Sequence, residues 1–98
     1  MDEIRTPIGI ITGTVRVFGF RMQGLCFQAV VMAECDGVET EATVRLSGRA
    51  NAAVYHLPVF PGTWRVKTVL GPTTTEHREV TIADGDLVGL DFVFGRAR

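Results

Sequence analysis

Ninety-eight residues suffice for one domain, because a chain this short buries only about 60 to 70% of its unfolded surface and cannot fill two cores. Apolar residues at 46% against 21% charged exclude a disordered chain, which would lack the burial to offset its ordering entropy. The 10 basic and 11 acidic residues, net charge −1, form no block of either sign, which argues against a phosphate-binding surface and against nucleic acid as a partner.

Val, Ile and Thr supply 13, 5 and 11 residues, and β-branched side chains fit a pleated, half-buried surface best. An all-β domain of seven strands is therefore expected, with turn residues at near-regular intervals as in a sandwich or barrel. The first strand runs from about Ile8 to Phe18, with Ile11, Gly13, Val15 and Val17 facing the core and Ile10, Thr12, Thr14 and Arg16 opposite. Leu25 to Glu34 is apolar at almost every position and reads as a central strand or a buried helix, the strand being favoured by its neighbours. Asp36-Gly37 is a strong two-residue hairpin signal, since that turn needs positive φ at both positions. Val38, Thr40, Ala42, Val44 and Leu46 then alternate with Glu39, Glu41, Thr43 and Arg45, the cleanest half-buried strand in the chain.

Ser47 to Ala52 reads as a loop and Ala53 to Leu57 as a short strand, ahead of two prolines, Pro58 and Pro61, that cannot donate to a ladder. The fifth strand places Trp64, Val66, Thr68 and Leu70 on one face and Arg65 and Lys67 on the other. Gly71-Pro72 turns the chain into a polar edge strand near Thr75 to Ile82, where Glu76, Arg78 and Glu79 discourage pairing with other molecules. Asp84-Gly85 is expected to close a last hairpin, after which Val88, Leu90, Phe92 and Phe94 share a face opposite Gly89, Asp91 and Val93. The expected core contains Trp64, Val66, Leu90, Phe92, Ile11, Val15, Ala29 and Val31.

Four segments in order resemble the carboxypeptidase regulatory-like domain, a transthyretin-like (prealbumin-like) sandwich related to the B-repeats of bacterial adhesins. Ile11-Thr12-Gly13-Thr14-Val15 is similar to that family's opening Ile-x-Gly-x-Val, and Ala29-Val30-Val31 to its Ala-x-Val. Asn51-Ala52 followed by Pro61-Gly62-Thr63-Trp64 resembles its turn and its Pro-Gly-x-Tyr, while Val80-Thr81-Ile82 and Leu90-Asp91-Phe92-Val93-Phe94 resemble its last two strands. The chain departs from the pattern in having no proline near Cys26, Ala52 for the turn glycine and Trp64 for tyrosine. The resemblance covers about Ile8 to Phe94 and implies a seven-stranded antiparallel Greek-key β-sandwich of transthyretin-like type. It also implies a non-catalytic interaction or structural module, with a small apolar-ligand carrier as the alternative and a hydroxyisourate-hydrolase-like enzyme as a more distant one.

The residues point to no reaction centre. Intradiol dioxygenases of related fold hold iron with two tyrosines and two histidines, and this chain has one tyrosine, Tyr55. The hydrolase pattern ends in Tyr-Arg-Gly-Ser, whereas this sequence ends Gly95-Arg96-Ala97-Arg98. An adhesin-type Lys–Asn cross-link would need Lys67 and Asn51, one outward and one in a loop. Ser47, the sole serine, lacks a strained Gly-x-Ser-x-Gly turn. Cys26, Cys35, His56 and His77 lack the paired spacing of a zinc site, and the two cysteines are expected to be reduced. Glu39 and Glu41 share a strand face with Arg45 and read as solvated. No catalytic residue, cofactor or metal is expected.

A partner is the stronger expectation. Phe18, Phe20, Met22, Leu25 and Phe27 crowd the first connection, where polar turn residues would be usual. With Ala29, Val31 and Ala33 inward, Val30 and Met32 project outward, so Phe20, Met22, Val30 and Met32 are expected to form the contact surface for a protein partner or a homo-oligomer, apart from the charged face of Glu39, Glu41 and Arg45. Met1-Asp2-Glu3-Ile4-Arg5 lacks the features of a secretory signal, which makes the cytoplasm the expected compartment and a virion or envelope assembly the alternative. No apolar stretch reaches the roughly 18 to 20 residues of a bilayer span, so no transmembrane segment is expected.

Overall fold

The computed structural model describes residues 8–18, 26–47 and 52–95, and these form two β-sheets packed face to face with no helix. The strands are β1 (Gly9–Val17), β2 (Cys26–Cys35), β3 (Val38–Ser47), β4 (Ala52–Val59), β5 (Gly62–Leu70), β6 (Thr73–Thr74), β7 (Arg78–Ile82), β8 (Leu87–Gly89) and β9 (Phe92–Phe94). One sheet has the order β4-β1-β8, with β9 continuing along β1, and the other has the order β3-β2-β5-β6, with β7 also on β5. Since β6 and β7 share one flank of β5 and β8 and β9 one flank of β1, the segments fill seven strand positions. The molecule is a β-sandwich, as the sequence leads one to expect.

The alternation read from the sequence places the core correctly. Ile11, Val15, Ala29, Val31, Trp64, Val66, Leu90 and Phe92 are all buried, together with Leu46, Tyr55, Leu57, Thr68 and Ile82. Each apolar side chain removed from water in this way contributes on the order of 1.5–3 kcal/mol, and both sheets supply residues to the one cluster. Leu25 to Glu34 resolves to strand from Cys26 onward, because β2 is paired on both sides, by β3 and by β5, and its alternate residues Ala29, Val31 and Ala33 meet the core.

Several expectations need correction. The sandwich is not antiparallel throughout, since β8 and β9 run parallel to β1. The cause is Asp84-Gly85, which is not a hairpin: β7 before it lies in one sheet and β8 after it in the other. Asp36 and Gly37 take φ of 50° and 81°, as a two-residue hairpin requires, whereas of the second pair only Gly85 has positive φ, at 83°. The Asp84-Gly85 turn is instead stitched to the start of β1, with Ile8 N donating to Asp84 Oδ1, Gly85 N to Ile8 O and Ile10 N to Asp86 O. The fourth strand is longer than expected and carries Pro58 within it, which an edge strand tolerates. Ser47 ends β3 rather than starting a loop.

The polar edge strand starts at Thr73 and breaks where Thr75, Glu76 and His77 stand against Lys67 and Thr68, one residue too many and hence a bulge. The last strand breaks at Leu90-Asp91 for a different reason. Thr14 N donates to the Asp91 carboxylate at 2.8 Å instead of to a backbone carbonyl. The freed Leu90 carbonyl accepts the Tyr55 hydroxyl, which reaches it from β4 on the far side of β1. Gly13 is the cross-strand partner of Tyr55, and a Cβ there would stand 2.1 Å from Leu90 O. The glycine therefore keeps open the passage through which the tyrosine ties three strands together.

Candidate functional site

Outward residues of β2 meet the outward residues of both neighbours, because directly paired residues share a sheet face. Val30 lies between Thr43 and Val69, and Met32 between Glu41 and Lys67. Both are half-buried. The expected apolar strip and the expected charged face of Glu39, Glu41 and Arg45 are thus one and the same surface, since Met32 pairs with Glu41 itself. The sequence reading separated them because register, which decides lateral neighbours, is not visible in the alternation of a single strand. Phe20 and Met22 lie outside the described residues.

The more exposed apolar surface is on the other sheet and the sequence reading missed it. Across the outer face of the β1 sheet, Ile10 stands between Pro58 and Leu87, Thr14 pairs with Val54, and Arg16 stands between Ala52 and Val93. Leu87, Val54 and Val93 are 69%, 60% and 52% exposed. The available signal was that Ile10, Val54, Leu87 and Val93 fall on the outward phase of their strands, where polar residues are usual.

The titratable candidates are scattered. On the same outer face His56 Nδ1 is 2.9 Å from Thr12 Oγ1, whose hydroxyl donates to the Tyr55 carbonyl at 2.9 Å. That donation leaves Thr12 to accept from an Nδ1-protonated imidazole, so the hydroxyl is held by two neighbours rather than activated as a nucleophile. His77 flanks a small hollow of about 50 Å³ beside Glu34, Arg65 and Lys67 on the opposite side of the sandwich. Cys35 is buried, and burial together with the nearby Asp36 charge pushes its thiol up, away from the thiolate that nucleophilic or metal chemistry requires. Cys26 and Cys35 open and close β2, about 30 Å apart at the rise of an extended strand, which precludes a bridge between them. Among the described residues no three His, Cys, Asp or Glu side chains converge as metal ligands.

Polar chemistry concentrates where the sheets are clamped. The Asp91 carboxylate accepts from both Thr14 N and Thr14 Oγ1. Arg78, from the other sheet, donates to the Asp91 carbonyl at 2.6 Å and lies 5.8 Å from the centre of the Phe92 ring. The Tyr55 hydroxyl is pushed well above the usual tyrosine range, chiefly by burial and then by the Asp91 charge, with Arg78 opposing. A proton held this firmly suits a permanent donor to Leu90 rather than an acid or base. Finally, an open cleft of about 280 Å³ lies between β3 and β4 at the Asp36-Gly37 end, lined by Ile8, Val38, Thr40, Pro58, Val59, Phe60 and Trp64. The Trp64 indole N–H donates to the Phe60 carbonyl at 2.9 Å, and the two rings sit 4.8 Å apart, which fixes one wall of that cleft. The chain matches no protein-family model and no curated protein.

Proposed function

We propose that this domain is a non-catalytic protein–protein interaction or structural module that works as a subunit of a larger assembly. The observation that carries this reading is the outer face of the β1 sheet, where Ile10, Val54, Leu87 and Val93 are exposed beside Pro58 and Ala52. Apolar area of this kind gains about 25 cal/mol per Å² on burial against a partner, and here it forms two groups, Pro58, Ile10 and Leu87 at one end of the face and Val54, Ala52 and Val93 toward the other, with Thr12, His56 and Gly89 between them. The dispersed histidines and the tethered Thr12 hydroxyl support a role without chemistry. The near-neutral charge supports a protein partner over nucleic acid. The seven strand positions support the transthyretin-like, regulatory-domain reading of the sequence. No helix among the described residues is long and apolar enough to cross a membrane.

A second reading, a small apolar-ligand carrier, draws on the cleft floored by Trp64, whose apolar lining suits a compact hydrophobic guest. Native mass spectrometry of the protein purified from its source separates the two. The module reading expects a stoichiometric protein complex that the double variant Val54→Glu/Leu87→Glu no longer forms while its β spectrum is retained. A single chain carrying a retained small molecule, or a complex with a different protein that is indifferent to that double variant, overturns it.

A further inference from the structure

Of the four sheet edges, three are blunted. β4 carries Pro58, the β6–β7 edge is broken by the bulge at Thr75 to His77, and the β8–β9 edge is broken at Leu90-Asp91. The fourth, β3, runs ten residues without proline, glycine or bulge and pairs only with β2 among the described residues. An unbroken strand edge is a template for another strand unless something covers it. In a two-residue hairpin the closing pair, Cys35 and Val38, exchanges both backbone hydrogen bonds. Alternation then turns the N–H and C=O groups of Glu39, Glu41, Thr43 and Arg45 away from β2, toward the open edge.

The side chains along that edge are self-complementary. Glu39 stands opposite Glu34, a like charge, while Glu34 has Arg65 on its other flank and Arg65 has Glu79 beyond it. The outermost carboxylate of this row therefore lacks a cation on its free side. Arg45, at the other end of the same strand, stands opposite Gln28. Neither Glu39 nor Arg45 forms an ion pair among the described residues. On the inward side of β3, Val38 is 47% exposed at the mouth of the cleft, although its phase is that of the buried Val44 and Leu46.

We propose that β3 pairs antiparallel with β3 of a second copy of this chain, with Ala42 on the two-fold axis, so that the two β2 sheets become one continuous sheet. This register sets Glu39 against Arg45 of the second copy and Glu41 against Thr43 of the second copy, twice each by symmetry. It satisfies the outward backbone groups of Glu39, Glu41, Thr43 and Arg45 with about eight inter-chain hydrogen bonds. It also lays Leu46 and Val44 of the second copy beside Val38 and Thr40, which covers the exposed apolar rim. Moving the axis to Glu41 would set two carboxylates face to face, which like-charge repulsion disfavours. The inference is independent of the β1-sheet contact proposed above, because it uses a different strand, a different face and backbone pairing rather than apolar stacking.

Sedimentation equilibrium on the whole chain tests it, with Glu39 and Arg45 as probes because both are exposed and neither contributes to the core. The parent is expected to be a dimer, Arg45→Glu to weaken dimerisation at least about tenfold, and the charge-swapped Glu39→Arg/Arg45→Glu to restore it to within about threefold. Val54→Glu/Leu87→Glu should leave this dimer unchanged. Under mild oxidation Ala42→Cys should form a 42–42 disulfide identifiable by peptide mass spectrometry, because the axial pair is non-hydrogen-bonded and brings the two Cβ atoms close enough for a bridge. A parent that stays monomeric into the high micromolar range, a dimer unmoved by Arg45→Glu, or a loss that the charge swap does not reverse overturns the proposal.

Discussion

On the outer face of the β2 sheet the rows read Glu39, Glu34, Arg65, Glu79 and Glu41, Met32, Lys67, with the one apolar pair, Val30 and Val69, half-buried between them. On the outer face of the β1 sheet the rows read Pro58, Ile10, Leu87, then His56, Thr12, Gly89, then Val54 beside Thr14, then Ala52, Arg16, Val93. Both faces obey the same period of two and both lie outside the same core. What differs is how many neighbours each outward side chain has. In the wider sheet each outward residue of β2 has a paired strand on both sides, and Met32 stands between the long side chains of Glu41 and Lys67. The β1 sheet is only three strand positions wide and has Gly89 in its last strand, so its apolar residues lack such cover. The most exposed apolar residues, Val54, Leu87 and Val93, all lie on strands paired on one side only among the described residues, a property of register and sheet width rather than of the strand itself.

The two sheets also differ in how they are held together, and breaking that difference gives the largest expected effects. The β2 sheet rests on the long ladders of β2 with β3 and with β5. The β1 sheet depends on a threaded side chain. Gly13→Ala would drive a Cβ into the Leu90 carbonyl, and because that obstacle is backbone, the variant should lose at least about 3 kcal/mol of stability in urea unfolding. A comparable loss from Gly37→Ala, where a Cβ has open space and only the φ of 81° is at issue, would remove the distinction.

Tyr55→Phe should come next, at about 1–3 kcal/mol, because it leaves the Leu90 carbonyl buried without its donor. This variant also has a pH signature. The folded state holds the Tyr55 proton more tightly than the unfolded chain does, so it binds more protons wherever the unfolded tyrosine has begun to ionise. Stability from this source is therefore complete below about pH 10 and declines as pH rises above it. Thermal unfolding between pH 8 and 11 should show the parent losing stability faster than Tyr55→Phe at the alkaline end. Parallel curves would show that the hydroxyl is not the buried donor described here.

Most of the inward residues could be read from the sequence, because burial in a sandwich needs only the phase of each strand. Ile11, Val15, Trp64, Val66 and Phe92 were all placed in this way. The Asp36-Gly37 hairpin was equally accessible, its strands lying on either side of a turn that dictates their register. The same dipeptide at Asp84-Gly85 was misleading because its partner is remote: Ile8, about 75 residues away in sequence, takes its hydrogen bonds and diverts the chain into the other sheet. The exposed apolar residues of the β1 sheet were hidden for a related reason. Val30 and Met32 are visible as outward apolar residues within one segment, whereas Ile10, Val54, Leu87 and Val93 come onto one sheet face only after three non-consecutive strands have been set side by side. The loss of Glu39's charge balance is likewise a property of the row Glu39, Glu34, Arg65 rather than of any stretch of sequence.

The smallest effect compares the faces most directly, through one isosteric change made on each. Val30 and Val54 are both outward and both stand opposite a threonine, Thr43 and Thr14 respectively, but Val30 also abuts Val69 and is half-buried while Val54 is 60% exposed. Exchanging a methyl for a hydroxyl costs in proportion to the water excluded from the site. Val30→Thr should therefore lose about 1 kcal/mol, whereas Val54→Thr should stay within about 0.5 kcal/mol of the parent. Urea unfolding at low micromolar protein, where contacts on the β1 face are dilute, is the measurement. Equal costs would mean that the two faces are equally covered within one chain and that the contrast between them is not real. Repeating the pair at a hundredfold higher concentration sharpens the result. If copies of the chain associate through the β1 face, the cost of Val54→Thr should grow with concentration, because mass action adds partner binding to the apparent stability of the folded state. The cost of Val30→Thr should stay where it was.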